Sequence, residues 1–134
     1  MKLKSLSSII LIAAGILIMG FTVISGDPWP VPDKYVKMPN PIKSDAASIS
    51  AGKTLWAKHC QSCHGKSGLG DGSKAAQLKT PVGDFSVAAF QKQTDGAIFY
   101  KTNEGRDDMP SFKKKIPDED DIWNLVNYMR TFKK

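Results

Sequence analysis

The hydrophobic pattern divides the chain into three unlike parts. The first is a run from Ile9 to Ile24 that only Gly15, Gly20 and Thr22 interrupt, inside a longer stretch, Ser5 to Gly26, that carries no charge. Lys2 and Lys4 stand in front of it. Its length is close to the roughly 20 residues with which a helix spans a bilayer. The basic start followed by an apolar heart is also the plan of a secretory signal. Residues 1–26 are therefore expected to form an apolar helix, either a cleaved signal peptide or a retained membrane anchor. Val23-Ile24-Ser25 could serve as a cleavage site, although no Ala-x-Ala stands there. In both cases the basic end stays inside and the rest of the chain is exported, to the periplasm or the outer face of the cytoplasmic membrane.

The second part, residues 27–47, holds five of the eight prolines: Pro28, Pro30, Pro32, Pro39 and Pro41. Proline removes backbone donors and favours extended conformations, so this segment is expected to be a tether, able to reach ~60 Å if fully extended. The alternative is that it wraps on the domain surface, with Trp29, Tyr35 and Met38 docked in shallow grooves.

The third part, residues 48–134, carries helical periodicity and no segment of strand period. Ala51, Leu55 and then Trp56 or His59 recur at helical spacing, with Ser48 or Ser50 as N-cap candidates. Shorter helical candidates cover Ser73–Lys79 and Phe90–Thr102. The clearest element is the last, where Ile122, Leu125, Val126, Met129 and Phe132 share one helix face. Pro117 and the acidic run Asp118–Asp121 mark its start, where negative charge suits the helix dipole. That position makes the acidic run a helix-start device rather than a calcium site. The fold class is all-α.

Composition narrows the chemistry. The chain has 134 residues with only two cysteines and two histidines, which excludes multi-haem wires, four-cysteine iron–sulfur clusters and Cys₄ zinc sites within one chain. The net charge is +6, and setting Lys2 and Lys4 aside leaves 17 basic against 13 acidic residues. Such a mild excess is not a nucleic-acid footprint.

Both cysteines and one histidine fall in Cys60-Gln61-Ser62-Cys63-His64, a C-x-x-C-H motif, the signal for covalent attachment of haem c. The spacing suits the chemistry: two thiols add to the two vinyl groups of one porphyrin edge, and the adjacent His64 is carried under the iron. Three other readings of these residues are weaker. A thioredoxin-like pair expects a strand before the motif. Zinc held by His59, Cys60, Cys63 and His64 would crowd adjacent ligands on one ion. A disulfide closing so short a loop stabilises little. The Gly-rich stretch after His64 lacks both the preceding strand and the Gly-Lys-Ser/Thr ending of a phosphate loop.

A sixth iron ligand can be sought by elimination. His59 is joined directly to Cys60 and is held on the proximal side. Met1 and Met19 lie in the export segment, Met38 in the Pro-rich segment, and Met129 in an apolar helical stripe. Met109 remains, in a loop-like stretch with Pro110 stiffening the backbone behind it. His64 and Met109 are thus the expected metal ligands, and Cys60 and Cys63 the attachment points.

Together these residues resemble the class I cytochrome c family from about Ser48 to Phe132. The resemblance implies roughly three to five helices packed around one haem, which itself supplies core. It implies thioethers at Cys60 and Cys63 and axial ligation by His64 and Met109. It also implies that Gly52 lets the last helix cross closely at Tyr128, and that the Pro81 carbonyl accepts a bond from the proximal imidazole. The expected activity is outer-sphere transfer of single electrons by a carrier rather than an enzyme. Its partners would be a redox donor and acceptor, such as a membrane respiratory complex, and the membrane itself if the first segment is uncleaved. The alternatives are a haem subunit of a larger oxidoreductase, or a ligand-binding or peroxidatic site if Met109 detaches.

Overall fold

The structure, a computed structural model, describes residues 29–134. The expected apolar helix of residues 1–26 lies outside the described residues. The described part is helical, with no strand: α1 Asp33–Val36, α2 Ala46–His59, α3 Gln61–His64, a 3₁₀ turn Ala75–Gln77, α4 Ala88–Gln91, α5 Asp95–Glu104 and α6 Glu119–Arg130. Among the described residues no helix is long and apolar enough to cross a membrane.

The frame is the crossing of α2 and α6. In α6 the apolar stripe closes completely: Ile122, Leu125, Val126 and Met129 are buried, and Trp123 joins them by stacking on Phe99 of α5, ring centroids 4.2 Å apart. The helix opens as its acidic run predicts, with the Asp118 side chain accepting from the Asp120 N–H. On α2 the crossing point is Gly52, where a Cβ would overlap the Asn124 carbonyl and lie 2.8 Å from Tyr128 Cβ. The close approach expected between Gly52 and Tyr128 is therefore present. A polar lock beside it ties the two helices: Ser48 Oγ donates to Asn124 Oδ1 at 2.7 Å, and Asn127 Nδ2 donates to Ser48 Oγ at 2.8 Å.

Several element boundaries differ from the sequence expectation: of the helical candidate Ser73–Lys79 only the 3₁₀ turn Ala75–Gln77 forms, and Phe132 falls beyond the end of α6. Helix α2 begins two residues before Ser48, and its N-cap is Asp45, whose carboxylate accepts from the Ser48 N–H at 3.0 Å. Ser48 is free to serve as a buried hydrogen-bonding residue instead. The helix expected over Phe90–Thr102 is two helices, because Thr94 caps a new start by accepting from the Ala97 N–H. Arg130 holds the junction, donating to Asp95 Oδ1 and to the Gln91 and Gln93 carbonyls at 2.9 and 2.7 Å. Replacing Asp45 by Ala is expected to cost about 1 kcal/mol, visible as a melting temperature lowered by roughly 4–8 °C.

Residues 29–47, placed in the expected tether, lie on the helical domain. Prolines deprive the segment of backbone donors, but its other side chains supply the attachment. Tyr35, Met38 and Ile42 pack on the core. Asn40 Nδ2 donates to Asn127 Oδ1 at 2.9 Å, and Asn127 Nδ2 returns a bond to the Ile42 carbonyl at 3.2 Å. Gly96 of α5 makes room for this segment, since a Cβ there would overlap the Tyr35 carbonyl and lie 2.7 Å from that of Met38. The docked arrangement is the one the described residues adopt.

Candidate haem site

Helix α2 delivers the motif. Its last turn carries Trp56, which is 1% exposed and donates through Nε1 to the Gly65 carbonyl at 3.0 Å. The chain then turns directly into α3, with the N–H groups of Cys63 and His64 both bonded to the Cys60 carbonyl. The Gly-rich stretch satisfies the carbonyls that α3 leaves open. Lys74, Gly72 and Gly70 donate to the carbonyls of Ser62, Cys63 and His64 at 2.8, 3.2 and 2.9 Å. The glycines thus build a cap for the motif, a structural use that matches the absence of a phosphate-loop pattern.

Cys60, Cys63, His64 and Met109 all line one cavity of about 290 Å³. The thiols are not joined in a disulfide. Burial, with a smaller effect from neighbouring Cys63, pushes the Cys60 thiol up to about 12, the opposite of the lowered value that a thioredoxin-like nucleophile needs. Burial pushes His64 down to about 4, so its imidazole is neutral at pH 7 with a lone pair to give. Its Nδ1 is buried with no hydrogen-bond partner. Pro81 lines the cavity, but the bond expected from His64 to the Pro81 carbonyl is not formed. The loop around Pro81 is held elsewhere, at the N–H groups of Lys79 and Thr80.

Those two N–H groups belong to a clasp with the Met109 turn. Asp108 Oδ2 accepts from Lys79 N at 2.7 Å and from Thr80 N at 2.9 Å. Met109 itself closes a tight turn, exchanging both backbone hydrogen bonds with Arg106 at 2.9 Å. Asp107 sits at the tip with φ 52°, a left-handed conformation that aspartate tolerates better than most side chains. The hydrogen bonds from Thr80 and Lys79 hold the Asp108 carboxyl below its usual range. A depressed carboxylate contributes stability above its unfolded pKa and loses it as pH falls through the folded value. Acid titrations of the wild type and of Asp108→Ala are therefore expected to differ near neutrality and to converge below the ordinary aspartate range.

Further residues line the cavity beside the four expected at the site. His59 lines the same space, its ring edge-on to Phe112 at 6.0 Å, and Met129 reaches it from α6. Phe85 lies 4.7 Å from the His64 ring and stacks on Phe90 at 4.0 Å. Trp29, Lys101 and Arg106 also border it. Among the described residues no cluster of three or more His, Cys, Asp and Glu side chains is placed to hold a metal ion.

The residues fit a large, largely apolar group bonded at one edge: a cavity walled by aromatic rings, two unpaired thiols, and a neutral imidazole with a bare nitrogen. An all-helical chain organised in this way is a class I c-type cytochrome domain, with one covalently bound haem c. The family model for cytochrome c oxidase, cbb3-type, subunit III matches residues 47–129, and the chain belongs to that family. It is 33% identical over 90 residues to cytochrome c6 of Cladophora glomerata, covering 63% of this chain and 89% of that protein. Among solved structures it is similar to a chain of the Kuenenia stuttgartiensis reducing HAO-like protein complex Kustc0457/Kustc0458. That match has a TM-score of 0.65 and 26% identity, and covers 82% of this chain. The present chain spans about half of that one, 53%. The KustC0563 c-type cytochrome matches with a TM-score of 0.55 and 33% identity, over 62% of this chain and 98% of that one.

Proposed function

We propose that this chain is an exported carrier of single electrons whose haem is attached at Cys60 and Cys63 and ligated by His64 and Met109. The observation that carries the proposal is the convergence of these four side chains, from the α2–α3 junction, from α3 and from the Arg106–Met109 turn, on one cavity. When bound, the haem supplies an iron that alternates between ferric and ferrous states. The chain's own residues do the rest. Cys60 and Cys63 would hold one edge, each S–H adding across one vinyl double bond. Neutral His64 offers a nitrogen lone pair without first losing a proton at pH 7. Met109 offers a soft, neutral thioether that favours the ferrous state. Held by both His64 and Met109, the iron would have no site left for a substrate, and the domain would carry electrons rather than transform a molecule.

Transfer partners are expected to meet a positive surface. Lys58, Lys66, Lys74, Lys79, Lys114 and Lys115 are exposed, whereas Lys113 is paired with Glu104 at 2.6 Å. Such a rim steers an acidic redox partner, raising on-rate more than affinity. The basic, apolar start of the chain supports export, with the segment either cleaved or kept as an anchor. A second reading, a haem subunit within a larger oxidoreductase, is supported by the family description and by the similarity to a chain of the HAO-like complex.

Attachment is tested on the denatured protein. The wild type is expected to keep its haem spectrum through denaturation and acid-organic extraction. Cys60→Ser and Cys63→Ser each keep the haem through one bond, and the double variant releases it. Haem extracted intact from the wild type would overturn the attachment.

A further inference from the structure

We propose that residues 29–42 form a strap that completes the haem cavity, with Trp29 as a wall and as the platform that holds Lys101 and Arg106 toward the haem's carboxylate edge. The strap lies before the part of the chain that the family model matches, residues 47–129. The inference rests on the haem occupying the cavity that the four proposed site residues line.

Three attachments place the strap. Tyr35 meets Tyr100 of α5 with ring centroids 4.7 Å apart. The carbonyls of Tyr35 and Met38 lie over Gly96, where no side chain would fit. Asn40 is bonded to Asn127 of α6. From there the chain runs back to Trp29, which borders the cavity. An indole at this rim excludes water from one side of the space.

The same ring organises charge. Lys101 Nζ lies 5.7 Å and Arg106 Cζ 5.1 Å from its centroid, so two cations share one aromatic platform. Both also line the cavity. Lys101 donates to Gln93 Oε1, a neutral amide, and Arg106 pairs with Asp107 Oδ2 at 3.3 Å. Asp108, the other carboxylate bordering the cavity, is engaged with the Lys79 and Thr80 N–H groups. Both cations face the same ring, and burial, with a smaller effect from the charge of Arg106, lowers the Lys101 pKa. An anion between them offsets both charges. The haem carries two carboxylates, and an anion of this class within the cavity is what the cation pair is built to receive. Water exclusion and positive charge act in the same direction on the iron, since both disfavour its ferric form.

The test is the midpoint potential of the full-length holoprotein, read with circular dichroism in the Soret band, which reports the rings packed around the haem. Trp29→Ala is expected to shift the ferric-to-ferrous equilibrium about five- to tenfold toward ferric, up to about 59 mV for a one-electron couple, and to change the Soret dichroism. Trp29→Phe, which keeps a ring, recovers most of the shift. Lys101→Gln lowers the potential in the same direction and stands in if Trp29→Ala yields no holoprotein. An equilibrium within about twofold of wild type in both Trp29→Ala and Lys101→Gln overturns the strap's role. So does a Trp29→Phe variant as depressed as Trp29→Ala. Haem retention after denaturation and the ligand-field spectrum of the same samples report the attachment and ligation separately. A silent Trp29 with both intact therefore sinks this inference alone.

Discussion

Met109→Ala is expected to lower the reduction potential on the order of 0.1–0.3 V, within the roughly 0.8 V over which axial ligands set haem potentials. It is also expected to open the iron. In the proposed ligation the thioether would stabilise ferrous iron as a neutral, polarizable donor, and its loss would let water reach the iron. The ferric spectrum should change from six-coordinate low-spin toward high-spin, and the ferrous protein should bind carbon monoxide rapidly, which the wild type should not. The competing residue is Met129, which also borders the cavity. Its side chain is committed to the core of α6 at 3% exposure, whereas Met109 lies half-buried on a turn hinged by two backbone bonds. Met129→Leu, nearly volume-conserving, is therefore expected to cost about 1 kcal/mol in stability while leaving spectrum and potential in place. The reverse pattern, with Met129→Leu altering the spectrum and Met109→Ala silent, would falsify the ligand proposed here. Rapid carbon monoxide binding by the wild type would favour the ligand-binding alternative over the carrier.

How far the sequence foretold this arrangement depends on the distance over which each feature is encoded. The motif, the helix that leads into it and the apolar face of α6 are local patterns, and local patterns are readable. Met109 is singled out by counting soft ligands, of which the chain has few, and the structure places it on the cavity that His64 lines. Apart from the Gly52–Tyr128 crossing, which the family resemblance implies, contacts between distant segments are harder to read from local pattern. Asp45 caps α2 although Ser48 and Ser50 have equal intrinsic capping ability, because the Ser48 hydroxyl is taken up by Asn124 and Asn127. The break at Thr94 is fixed by Arg130, which gathers Asp95, Gln91 and Gln93 from a helix 35 or more residues away. The prolines of residues 29–47 favour an extended reach, with docking through Trp29, Tyr35 and Met38 as the alternative, and it is the alternative that the described residues adopt. The absence of a side chain at Gly96 and the amide of Asn127 help to dock the segment. Pro81 shows the limit of resemblance by position: it borders the cavity, while His64 Nδ1 has no hydrogen-bond partner.

Gly52→Val is expected to be the most damaging substitution outside the haem ligands, because it acts on the joint that places the site. A Cβ at residue 52 meets the Asn124 backbone and the Cβ of Tyr128, neither of which is a flexible side-chain end that could swing aside. Relief requires α2 and α6 to separate. Separation would uncover Trp56, Leu125 and Val126, all at most 1% exposed, and break the bonds from Ser48 to Asn124 and Asn127. Overpacking of this kind costs about 3 kcal/mol or more, a large share of the 5–15 kcal/mol typical of a domain. The melting temperature of the holoprotein should fall by roughly 10–20 °C. The damage should also reach the iron, because α2 carries Trp56 and ends at Cys60, and the indole bond to the Gly65 carbonyl steadies the segment that holds His64. Gly52→Ala, with the smallest possible Cβ, should lie between Val and wild type in both stability and yield of haem-loaded protein. If Gly52→Val melts with the wild type, the crossing of α2 and α6 is looser than the structure describes. The precision attributed to the cysteine and histidine placement would then have to come from the haem bonds themselves.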